Sequence, residues 1–114
     1  MTATGDCYEA AGRYIATADL GDDTMRLCHG TAMGQGPIAG IRHGHAWIEL
    51  NDILVLEVAN GNHLLIPRSV YYAMGEIENI VRYSPREAAE QMVQQEHWGP
   101  WHRETPTDPK GDRP

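Results

Sequence analysis

The chain has no phenylalanine and a single lysine, Lys110, among its 114 residues. Three tryptophans (Trp47, Trp98, Trp101) and five tyrosines must therefore supply the aromatic packing. Eight scattered arginines and a formal net charge of −7 argue against a nucleic-acid partner, whose phosphates require clustered basic side chains. No apolar run is long enough to span a bilayer, and no basic-then-apolar signal segment opens the sequence. A cytoplasmic protein without membrane contact is expected. Cysteine is scarce as well. Cys7 and Cys28 could pair in an oxidising compartment, but in the cytosol both should remain thiols.

Two further absences narrow the chemistry. There is no Cys-x-x-Cys or His-Glu-x-x-His spacing, so the His43-x-His45 pair with Cys28-His29 is a weak metal signal. Neither metal nor cofactor is expected. The glycine-rich loop over residues 30–44 does not open a helix after a strand and carries no Gly-Lys-Ser/Thr. It therefore reads as a flap over a cleft, and a phosphate cradle is disfavoured. Gln35 in that loop is a candidate donor to a developing oxyanion.

What is present suits a globular domain. A chain of this length buries roughly 65% of its unfolded surface, enough for one core and one site. Hydrophobic residues at 41% and charged residues at 22% are ordinary for such a domain. Residues 1–104 read as one domain and 105–114, rich in Pro, Asp and Gly, as a disordered tail.

The organising stretch is Gly44 to Asn60, two apolar-rich strands around the turn residues Asn51-Asp52. His45 opens the first strand; Glu57 and Asn60 close the second, so an antiparallel hairpin brings these polar groups together. A two-residue turn at Asn51-Asp52 sets His45 opposite Val58 and puts Asn60 on its face. A loop of Leu50-Asn51-Asp52 sets His45 opposite Glu57, and this arrangement is favoured.

Before the hairpin, Asp6 as N-cap predicts a helix over about 6–18 with Cys7 in its first turn, where unpaired N–H groups favour a thiolate. Gly12 inside that helix points to close packing against another element. A strand over 24–31 follows, in which Cys28 reads as a core residue. After the hairpin come a short strand at 63–66, a helix at 69–74, a strand at 78–83 and a helix to about 95. Ser84-Pro85-Arg86-Glu87 is a capping box that starts this last helix. Trp47, Tyr71 and Tyr72 read as packing residues. The fold class is α+β, with the Cys7 helix packed on an antiparallel sheet of about four strands and two further helices.

Cys7 at a helix start, then His45-Ala46-Trp47-Ile48-Glu49 on a strand, then an acid or amide ending the next strand, resembles the papain-like and transglutaminase-like cysteine superfamily. The resemblance implies Cys7 as nucleophile, His45 as base and Glu57 as the acidic partner, with Asn60 as the alternative orienting residue. No glutamine precedes Cys7 by a few residues, so the oxyanion donors would be the Cys7 N–H and Gln35. Gly5-Asp6-Cys7-Tyr8-Glu9-Ala10-Ala11 and His97-Trp98-Gly99-Pro100-Trp101 also resemble small bacteriophage proteins, placing the chain in the cytoplasm of a host cell. The expected activity is thiol-dependent chemistry on an amide or acyl bond, as in a peptidase, deamidase, amidase or transglutaminase-type enzyme. Its substrate would be a protein, a peptide or a small amide. The alternative is an inactive binding protein on the same scaffold, with a host protein or a small ligand as its partner.

Overall fold

The central hairpin is set by a turn whose backbone few residue types tolerate. Asn51 and Asp52 both adopt left-handed φ, 54° and 61°, and asparagine and aspartate accept that region better than other non-glycine residues. In this computed structural model, which describes residues 3–34, 36–61 and 63–101, the Ile53 N–H closes the turn on the Leu50 carbonyl at 3.2 Å. Ile53 then bulges outward, 64% exposed, and Leu54 pairs with Leu50. The loop is thus Asn51–Ile53, which matches neither register expected from sequence. Strand β2 is Arg42–Leu50 and β3 is Leu54–Glu57, with Ile48 opposite Leu56. The parity of the favoured arrangement survives: Glu57 lies on the same face as His45, displaced along the strand.

Strand β1, Met25–Met33, runs antiparallel to β2 on one side and to β5, Glu78–Tyr83, on the other. Strand β4, Leu64–Pro67, pairs with β3, giving the order β4-β3-β2-β1-β5. The sheet therefore has five strands where about four were expected. Because β1 and β2 extend to Met33 and back from Arg42, the loop between them is shorter than the 30–44 span expected. It is also compact: the Gly34 N–H meets the Ile41 carbonyl at 2.7 Å around a 3-10 turn, Gly36–Ile38.

Helices cover both faces. Helix α1, Ala3–Ile15, packs with α3, Pro85–Gln95, over Leu27, Ala46, Ile48 and Leu56. Helix α2, Arg68–Gly75, covers the opposite face over Cys28, Trp47 and Val55. The capping box forms at the start of α3: the Ser84 hydroxyl accepts from the Glu87 N–H, and the Glu87 carboxylate accepts from the Ser84 N–H. The α+β class follows from this arrangement. Residues 102–114, and with them the expected tail, lie outside the described residues.

Helix α1 starts three residues before the expected N-cap, so Asp6 lies inside it and Cys7 is its fifth residue. Gly12 explains itself on the outer side of this helix. A Cβ there would lie 2.6 Å from Cε3 of Trp98, so the C-terminal aromatic segment packs directly on the glycine backbone. Gly12→Ala gains roughly 1 kcal/mol of helix propensity but must displace the indole. We expect a net loss of about 1–3 kcal/mol, read as a lower midpoint in thermal or urea unfolding; a stabilised variant would show that Trp98 is not seated there.

Candidate active site

Four elements deliver one cluster. The β2 strand carries His45, the end of β3 carries Glu57, α2 carries Tyr71 and α1 carries Cys7. His45 Nε2 lies 2.8 Å from the Tyr71 hydroxyl and 3.4 Å from Oε1 of Glu57, and Tyr71 donates a hydrogen bond to that same oxygen. The Cys7 sulfur hydrogen-bonds the imidazole too, as acceptor to the protonated ring. With Nε2 engaged by the Tyr71–Glu57 pair, Nδ1 is the nitrogen left for sulfur. The ring is further held by stacking, 5.8 Å from Trp47 and 6.3 Å from Tyr71 between centroids.

Burial and charge compete at each of these groups. Burial pulls the His45 imidazolium down, but hydrogen bonds to Cys7 and Glu57, and their charges, outweigh it and raise its pKa to about 9. Burial pushes the Glu57 carboxyl up, and its bonds to His45 and Tyr71, with the Ala59 N–H, bring it below the usual carboxylate value. Tyr71 moves the other way: burial and the adjacent Glu57 charge push its phenol well above the ordinary tyrosine range, so it stays a donor. The resting cluster at neutral pH therefore holds a cationic imidazole against a carboxylate, with a tyrosine hydroxyl between them.

The structure thus brings Cys7, His45 and Glu57 together. It does not place Cys7 at the exposed N-terminus of its helix. As the fifth residue of α1, its N–H falls within the intrahelical ladder and is no oxyanion donor, because a helix leaves only its first four N–H groups unpaired. Gln35 lies outside the described residues, as does the side chain of Asn60, whose backbone belongs to a 3-10 turn at Ala59–Gly61. Cys28 is fully buried in the core as expected, and its thiol donates to Glu49, which together with burial raises its pKa. Cys28 and His29 project to opposite faces, so they do not form one metal-binding group with His43 and His45.

Tyr71 reads as a packing residue in the sequence, and the structure adds that its hydroxyl joins the imidazole to the carboxylate. The available signal was tandem: Tyr71 and Tyr72 sit side by side on one short helix, and each hydroxyl ends on a carboxylate, Glu57 and Glu49.

A cleft of about 770 Å³ opens beside this cluster, lined by His43, His45, Tyr71 and the aliphatic side chains of Met33, Ile38 and Ile66 among others. Compared with protein-family models, curated proteins and solved structures, the chain matches none.

Tyr71→Phe removes the hydroxyl that joins imidazole and carboxylate while keeping the ring. We expect a loss of about 1.5–3 kcal/mol, the usual worth of a hydrogen bond to a charged group, in urea unfolding at pH 7. An unchanged midpoint would show that the hydroxyl contributes nothing to the cluster.

Proposed function

We propose that the chain is a thiol-dependent enzyme acting on an amide bond, with Cys7, His45 and Glu57 as its working residues, in the manner of papain-like and transglutaminase-like proteins. The observation that carries this reading is the chain of contacts from the Cys7 sulfur through the His45 ring to the Glu57 carboxylate, the order a thiol nucleophile requires. The cationic imidazole is matched to that task, since it stabilises the thiolate before attack and carries the proton needed later.

In the proposed reaction the Cys7 thiolate adds to the carbonyl carbon of the amide. Collapse of the tetrahedral intermediate breaks the C–N bond, and His45 gives its proton to the departing amine. The enzyme is left as a thioester. A water molecule, or an amine in the transfer variant of the reaction, then attacks that thioester while the neutral His45 accepts its proton. The Cys7 sulfur leaves as thiolate, and the imidazolium is restored. Glu57 touches no reacting atom. It holds the ring with Nδ1 towards sulfur, directly and through the Tyr71 hydroxyl, and offsets the charge the ring carries.

A second reading is favoured by one observation. Cys7 is only 3% exposed, as a sulfur packed for structure would be, and this suits an inactive binding protein on the same scaffold with a host protein or a small ligand as partner. Alkylation separates the two. In the native chain at pH 6.5, iodoacetamide should modify Cys7, identified by peptide mass, while Cys28 resists. His45→Ala should slow that modification about tenfold or more, because the thiolate loses the imidazolium that stabilises it and each unit of thiol pKa is worth about tenfold in thiolate. A Cys7 that is inert in the folded native chain, or equally reactive without His45, would overturn the enzymatic reading.

A further inference from the structure

The cleft beside His45 has a composition that selects a ligand class. Its walls are Met33, Ile38, Ile66, Met74 and Ile77, aliphatic throughout, and two of the five are methionines, whose flexible side chains adapt to an unbranched chain. Among the described residues no aspartate, glutamate, lysine or arginine lines it. The polar groups are His43, His45 and Tyr71, a small set in an otherwise apolar lining, which is the pattern of a small-molecule site. Its volume of about 770 Å³ also lies in that range.

His43 adds a directional preference. Its Nδ1 sits 2.9 Å from the Gly44 carbonyl on its own strand, which holds the proton on Nδ1 in the neutral ring. Nε2 is then the remaining acceptor, and an acceptor calls for a donor, an N–H or an O–H, on the ligand. An amide supplies one; an ester does not. His45, whose ring contacts Cys7, lines the same cleft.

We propose that this cleft binds a small secondary amide carrying an unbranched aliphatic acyl chain, with the chain along the Met33–Ile38–Ile66–Met74–Ile77 wall and the amide at the histidines. The assignment deepens the amide-bond reading and rests on it for the link to catalysis, whereas binding itself stands on the cleft alone. An acyl chain fits the lining better than a peptide, because no described charged group is present to meet peptide termini or charged side chains.

The test is calorimetric titration of the native full chain at pH 7 with N-methylbutanamide, N-methylhexanamide and N-methyloctanamide. Each buried methylene should tighten binding about fourfold, so each two-carbon step should lower Kd roughly 15-fold until the chain reaches the rim. Methyl hexanoate should bind more weakly than N-methylhexanamide, and His43→Ala should abolish that difference. Ile38→Gln and Met74→Gln change residues that are 45% and 66% exposed, so folding is preserved, and each should weaken the octanamide most. Kd values independent of chain length, unchanged by both rim variants, or tighter for an acetyl-leucine methylamide of equal carbon count would overturn the assignment. Iodoacetamide labelling of the same preparation keeps the two claims apart. A reactive Cys7 without graded binding removes the cleft assignment alone, and graded binding with an inert Cys7 removes the enzymatic reading alone.

Discussion

One buried carboxylate holds the α2 face of this protein in place. Glu49 is 1% exposed, and such a charge is tolerated only if its oxygens are fully bonded. It accepts from Nε1 of its strand neighbour Trp47 at 3.0 Å, from Arg68 and Arg82 at 3.1 Å each, and from the Tyr72 hydroxyl. Burial raises the carboxyl pKa, and the bonds from Tyr72, Trp47, Arg82 and Arg68 more than reverse that, so it stays ionised. With the Cys28 thiol on β1 also donating, four elements, β1, β2, β5 and α2, converge on the same two oxygens. Helix α2 has no fully buried residue of its own, so these polar anchors, together with the packing of its tyrosines on Trp47, fix where it lies.

The candidate active site depends on that placement. Tyr71 and Tyr72 are neighbours in sequence, so a helix held to Glu49 through Tyr72 presents the Tyr71 hydroxyl to Glu57 and His45. Trp47 links the two halves: it donates to Glu49 and stacks on the His45 ring. The imidazole, the indole and the phenol thereby form one triangular cluster, with ring centroids 5.8 to 6.3 Å apart. The orientation of the His45 ring is thus a product of packing on one sheet face. Cys7 arrives from α1, whose packing is with the other face.

The fold class and the shared face of His45 and Glu57 were legible in the sequence because they rest on periodicity and on the two-face alternation of strands, whereas Cys7 reaches them from a helix packed on the other face. The register was not legible. Asn51 and Asp52 signalled the turn, but whether Ile53 would bulge depends on its exposure and on the Arg68 N–H that binds its carbonyl, a tertiary contact. Parity was preserved all the same, since the favoured register and the observed one differ by two residues in the pairing sum, and Glu57 stays on the histidine's face. The start of α1 was misplaced because aspartate is as acceptable inside a first turn as at a cap. Tyr71 was hidden for a different reason: a tyrosine that packs and a tyrosine that bridges two ionised groups look alike until the carboxylates opposite them are located.

Cys7 and His45 are coupled, and the titration of the His45 ring by NMR in the native chain and in Cys7→Ala reads that coupling most directly. The thiol partner and Glu57 together should hold the imidazolium to about pH 9 in the native protein. Removing the sulfur leaves burial less opposed, so the midpoint should fall towards the ordinary histidine value of about 6.5. A native His45 that titrates at or below that ordinary value, or a midpoint that Cys7→Ala leaves unmoved, would contradict the account.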